Sequence, residues 1–168
     1  MVNFDAQFEV VPVGRDDKDS HLALAVFERA KAMAERQGGQ GQPFADELWR
    51  LWSQRSPAVG AWALLRDGVA AGHLVATVQV WDYEHVAWIN QVELDATDGH
   101  PATQEDWDAA LRTLDEWVGR ANVALVAQGG RPIKRFIMCT PHNPKIFERR
   151  AGFRSIRTLL ERPVRAGA

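Results

Sequence analysis

The chain has one cysteine, Cys139, in 168 residues, so it can hold no internal disulfide, and a reducing, cytoplasmic setting is expected. Its apolar runs fall well short of the roughly 18 residues that span a bilayer, and the first residues, with Asp5 among them, lack the apolar core of a secretory leader. No membrane partner is expected. Internal repeats and low-complexity segments are missing too, so residues 1–168 read as one domain, long enough to bury a sizeable core. A P-loop, G-x-G-x-x-G and G-x-S-x-G are absent, which excludes the NTPase, dinucleotide-binding and serine-hydrolase classes built on them. With no helix-turn-helix, zinc-finger or RNP-type pattern, nucleic acid is not an expected partner either. Cys139 and His142 lie three apart but without a second Cys/His pair, and His21, His73, His85 and His100 are scattered. No metal site is expected, and Cys139 reads as a buried structural cysteine.

Charge of one sign is also scarce: the formal net charge is −2. The distribution is uneven. From Arg131 onward there are ten Lys/Arg against two Asp/Glu, and before it ten against twenty. A basic final quarter either faces the acidic part within one fold or receives a phosphate-bearing ligand or acidic partner.

What the chain does have is 46% hydrophobic residues, seven tryptophans and clear periodicity. Phe8–Val13, apolar and β-branched, reads as a first strand closed by Pro12 and Gly14. Ser20 stands as an N-cap before Leu22, Val26, Phe27, Ala30, Met33 and Ala34 at helical spacing. After the break GGQGQP, a second helix over Ala45–Gln54 carries Leu48, Leu51 and Trp52 on one face and stops ahead of Pro57. AWALL leads through Asp67-Gly68, a hairpin turn, into VAAGHLVATVQVW, and HVAWINQVEL follows as another strand. Both faces of these strands are apolar, which predicts a sheet covered on both sides. Gly72 marks a bulge or a close backbone approach. The stripe Trp107, Ala110, Leu111, Leu114, Trp117 and Val118 predicts a helix over Gln104–Arg120, opened by Thr103 and Asp106 as a capping box. KRFIMC reads as a strand, Asn143-Pro144 as the start of a late helix, Gly152 as its end, and FRSIRTLLERPV as one or two closing strands. The order β-α-α-β-β-β-α-β-α-β predicts an α+β domain with a mixed central sheet flanked by helices.

In that order, ALLRDGVAAGHLVATV and NPKIFERRAGF resemble two stretches of the GNAT superfamily, the GCN5-related N-acyltransferases: a hairpin with Asp-Gly at its turn, and a late helix running from Asn to Gly-Phe. The resemblance covers almost the whole chain. It implies a GNAT-like fold whose splayed central strands admit acetyl-CoA or another acyl-CoA, and transfer of the acyl group to an amine. It further implies Glu93 as general base, the backbone at Val92 and Leu94 as partner of the pantetheine arm, and Asn143 and Phe147 at the cofactor. An outward-facing strand carboxylate is the other reading of Glu93.

Two departures from the family pattern stand out. DATDGHPATQED, where the pyrophosphate-binding loop belongs, has one glycine, no arginine and Pro101, and carries Asp95, Asp98, Glu105, Asp106 and Asp108. This degenerate loop predicts repulsion of a diphosphate. Phe147 stands where the family often has a tyrosine, so packing is kept but no proton can be given to a leaving thiolate. Hence the second expectation, from another functional class: a GNAT-fold pseudoenzyme that binds a protein partner or its own copies as a structural module, for example in a regulator or a phage virion.

Overall fold

The computed structural model describes residues 8–13, 20–54, 56–94, 102–138 and 145–154. Five strands and four helices run in the order β1 (Glu9–Pro12), α1 (Ser20–Arg36), α2 (Gly41–Ser53), β2 (Val59–Arg66), β3 (Val69–Trp81), β4 (Glu84–Glu93), α3 (Gln104–Ala127), β5 (Phe136–Met138) and α4 (Lys145–Ala151). The strands form one sheet in sequence order. β1 to β4 are mutually antiparallel, and β5 joins β4 in parallel. A parallel neighbour needs a crossover, which α3 supplies. The α+β expectation with a mixed sheet holds over these elements; the expected closing strands lie outside the described residues.

Alternation along the strands divides the core in two, as the two-sided apolar pattern requires. On one face Trp62, Leu64, Leu74, Ala76, Ala87 and Ile89 pack against Trp107, Ala110, Leu114 and Trp117 of α3. On the other, Ala61, Ala63 and Val75 meet Ala23, Val26, Phe27 and Ala30 of α1 and Leu48 of α2. Phe27, Trp49 and Trp52 form a three-ring edge-to-face cluster under α2.

Two helix boundaries differ from the sequence reading. α2 starts at Gly41, four residues before the expected Ala45. Pro43 does not prevent this, because its missing N–H falls in the first turn, where no intrahelical partner exists. Gly41 is required there for space: a Cβ on it would come within 2.6 Å of the Lys31 carbonyl oxygen of α1. α3 runs on to Ala127 instead of stopping at Arg120. Its last two turns bury only part of their apolar residues, Val123 being 73% exposed, so the amphipathic stripe fades before the helix does.

Both hairpin turns place two successive residues at positive φ, Asp67 (52°) with Gly68 (76°) and Asp82 (53°) with Tyr83 (65°). The first pair has the preferred chemistry for such a turn; the second carries a strained tyrosine. Replacing Tyr83 with glycine is expected to stabilise the chain by about 1 kcal/mol, because a left-handed L-residue costs roughly that much. Urea unfolding would check it, with an unchanged or lowered midpoint as the contrary outcome.

Candidate functional site

The carboxyl end of β4 stays paired with β3 as far as Glu93↔His73. With β5 the described pairing runs from Ala87↔Phe136 to Ile89↔Met138, where the described residues of β5 end. On the β3 side the register shifts between Val75 and Ala76, leaving Asn90 without a partner. Such a bulge turns two successive side chains the same way. Asn90 Oδ1 accepts from the Thr77 hydroxyl at 3.0 Å, and Gln91 Oε1 meets His73 Nε2 at 2.7 Å, both on the side of α1. Val92 and Leu94 turn to the α3 core, Leu94 being 2% exposed.

A second bulge lies one strand over. Leu64 pairs with Gly72 and Leu65 with Ala70, so Ala71 has no partner. Gly72 also lies against β4, where a Cβ would fall 2.1 Å from the Glu93 carbonyl oxygen. Both readings of Gly72, bulge and close approach, therefore hold. The Ala71 carbonyl accepts from Arg29 Nη2 at 2.6 Å.

Arg29 thus ties α1 to the bulge and to Glu93 together. Its Nε sits 2.9 Å from Glu93 Oε2, which also meets His73 Nδ1 at 2.8 Å. Arg36, two helical turns on, reaches Glu93 Oε1 at 3.4 Å and is 61% exposed. Gln91 Nε2 donates to the Ala30 carbonyl at 3.0 Å, so its oxygen is left for His73 Nε2. With that amide orientation Nε2 of the fully buried His73 faces Gln91 Oε1 while Nδ1 faces Glu93 Oε2. Burial pushes the Glu93 carboxyl up, but His73 and then Arg29, by hydrogen bond and charge, outweigh it and hold the group below the usual carboxylate range. The result is a fixed anion with unequal oxygens. Oε2 is saturated by two short bonds; Oε1 has one long bond to a largely exposed side chain.

Of the residues singled out from sequence, Glu93, Val92 and Leu94 meet at this strand end. Phe147 packs elsewhere, edge-on to Trp107 with centroids 5.7 Å apart. The amide of Phe153 returns to the Phe147 carbonyl at 3.3 Å across Gly152, whose φ is 67°, so Gly-Phe ends the helix as its sequence required. Asn143, Cys139 and His142 lie outside the described residues. Arg29, Arg36, His73 and Gln91 were missed. Arg29 and Arg36 are seven apart, hence on one helix face, and Gln91 and Glu93 share a strand face; that periodicity was the available signal.

The helix that would meet a diphosphate begins at Gln104. Thr103 Oγ1 accepts from the Asp106 amide at 3.2 Å while Asp106 Oδ2 accepts from the Thr103 amide at 2.8 Å, so the capping box closes with Asp in place of Glu. Asp106 is fully buried and its other oxygen takes the Phe8 amide at 3.0 Å. Its charge points inward, which corrects the expectation that it repels a ligand at that helix end. The loop residues 95–101, with Asp95 and Asp98, are outside the described residues. Beside the helix start lies α4: Gln104 Nε2 donates to the Arg150 carbonyl at 3.0 Å, and Arg150 Nη1 approaches Gln104 Oε1 at 3.4 Å. Among the described residues, no three His, Cys, Asp or Glu gather as metal ligands would, and no helix is long and apolar enough to cross a membrane.

This mixed five-stranded sheet flanked by helices has the GNAT acyl-CoA N-acyltransferase fold. A putative acetyl transferase from Pyrococcus furiosus superposes with a TM-score of 0.59 at 12% identity, over 94% of this chain and 99% of that one. A GCN5-related N-acetyltransferase from Ralstonia eutropha JMP134 gives 0.57 at 16% identity, over 94% and 98%. A predicted acetyltransferase from Clostridium acetobutylicum, solved with acetyl-CoA, gives 0.58 at 11% identity, over 93% and 96%. No family model matches the sequence, and neither does any curated protein. The likeness is one of fold.

Proposed function

We propose that the chain transfers an acyl group from an acyl-CoA to an amine. The observation that carries this reading is Glu93 at the carboxyl end of β4, with Oε2 locked and Oε1 left to accept a further hydrogen bond. The family resemblance makes the backbone at Val92 and Leu94, with Asn143 and Phe147, the residues suited to hold the cofactor. Arg149 and Arg150, exposed on α4 next to the start of α3, offer positive charge for its phosphates. When bound, the acyl-CoA supplies an activated thioester carbonyl.

The chain's own part is then proton handling and placement. The amine nitrogen forms the new C–N bond as the C–S bond breaks. The proton released from nitrogen passes to Glu93 Oε1, directly or through a water molecule. Because its carboxyl is held below the usual range, Glu93 stays anionic at neutral pH and is a weak base, suited to relaying that proton onward. Phe147 has no hydroxyl, so solvent protonates the thiolate.

The second reading, a module that binds a protein and does no chemistry, is favoured by Phe147 and by the occupied start of α3, where Thr103 and Asp106 use each other's groups. Calorimetric titration with acetyl-CoA separates the two. The enzyme predicts saturable binding between about 1 μM and 1 mM, the usual range of substrate affinities, and thiol release with some member of an amine panel. Silence at millimolar acetyl-CoA would sink it and leave the module.

A further inference from the structure

At the opposite end of β4 from Glu93, about 30 Å away for a ten-residue strand, the β3–β4 turn and the α3–β5 loop border an open surface cavity of about 390 Å³. It is lined by Tyr83, Glu84, His85, Arg131, Pro132 and Lys134, together with Gly129 and Gly130. We propose that this cavity binds a small phosphorylated ligand bearing a planar ring, with the phosphate among His85, Arg131 and Lys134 and the ring against Tyr83.

Four observations support this. First, the charge is uncommitted. The one acid in the lining, Glu84, is taken by Arg135 at 3.3 Å, whereas Arg131 and Lys134 make no ion pair among the described residues. Second, the cations are held on a fixed loop. Between them Ile133 is buried, and its amide and carbonyl are both gripped by the Asn122 side chain of α3, at 2.6 and 3.1 Å. Third, the helix end does not account for them. α3 has no basic residue in its last turn, but a macrodipole presents only about half a negative charge. Gly129 and Gly130 already return their amides to Val126 and Leu125 at 3.0 and 2.9 Å. Two full positive charges exceed that need. Fourth, Tyr83 is wholly exposed at a strained φ of 65°, a conformation that persists at binding sites more often than at idle turns. A cavity of this size is in the range of small-molecule sites, and a flat phenol beside clustered cations is the pairing that takes a ring and a phosphate together. Two of the ten basic residues that begin at Arg131 thereby find a use independent of acyl transfer.

The test uses the full chain and three probes: AMP, ribose 5-phosphate, and adenosine, titrated by calorimetry at low salt. AMP is expected to bind tightest, ribose 5-phosphate more weakly, and adenosine not measurably. The double substitution Arg131→Ala with Lys134→Ala should weaken both phosphates at least tenfold. Tyr83→Ala should weaken AMP several-fold and leave ribose 5-phosphate unchanged. The pair Arg149→Ala with Arg150→Ala should leave AMP binding intact, which keeps this site apart from the one proposed at Glu93. Equal affinity for adenosine and AMP, no binding at millimolar AMP, or binding untouched by the double substitution of Arg131 and Lys134 would each overturn the proposal.

Discussion

Replacing Glu93 with alanine should destabilise the chain by about 3 kcal/mol, because it removes the shared partner of two arginines and a buried histidine from a half-buried cluster. His73 is fully buried, with Nδ1 on Glu93 and Nε2 on Gln91, and it cannot turn to water when the carboxylate goes; Arg29, 28% exposed at its side chain, turns to water only in part. For a chain of this length each kcal/mol moves the melting temperature by about 2–4 °C, so a drop near 10 °C is expected by calorimetry. Glu93→Gln keeps the shape and one acceptor oxygen, and should cost less stability. Its effect on chemistry is larger: if Glu93 relays the amine proton, turnover falls on the order of a hundredfold while acetyl-CoA affinity is retained. Equal losses of turnover and of acetyl-CoA binding would instead show general damage to the site.

The same carboxylate predicts acid behaviour. Its pKa in the folded chain lies below the unfolded value of 4.5, so its contribution to stability is present above pH 4.5 and is lost as pH falls through the folded value. Wild type should therefore weaken on acidification below about pH 4.5, and Glu93→Gln should weaken less steeply over that interval. Parallel stability–pH curves for the two would contradict the ion-pair assignment.

The sheet was legible because its strands announce themselves. β3 was expected over VAAGHLVATVQVW and runs over those same residues, since β-branched runs and turn chemistry are local signals. The capping box and the Gly152 helix stop were legible for the same reason. The polar centre was not. Glu93 is visible on its strand, but its partners come from residues 64, 57 and 20 positions away, and only tertiary packing decides which strand face meets which helix face. The end of α3 was misread because an exposed apolar tail, Val123 and Val126, gives no amphipathic reason to continue. Continuity of hydrogen bonding carries it to Ala127.

Asp106 shows how a side chain's direction outweighs its charge on paper. From sequence it is one of five acids crowding a presumed diphosphate; in the fold it is an internal fastener. It accepts from the Thr103 amide, the Thr103 hydroxyl and the Phe8 amide at 2.8, 2.8 and 3.0 Å. It therefore ties the first turn of α3 to the residue that opens β1, 98 positions away. Asp106→Ala should cost about 3 kcal/mol or more, combining a lost cap with a buried amide left unpaired. Asp106→Asn keeps one acceptor and should cost less, although its amide group then faces donors. Because the carboxylate is turned inward and fully covered, neither change should tighten acetyl-CoA binding. If Asp106→Asn raised acetyl-CoA affinity tenfold, the charge would have to be felt at the helix end after all, and the repulsion first inferred from composition would stand. An unchanged affinity alongside a lowered melting temperature would mark Asp106 as a fastener of the fold whose charge acetyl-CoA does not feel.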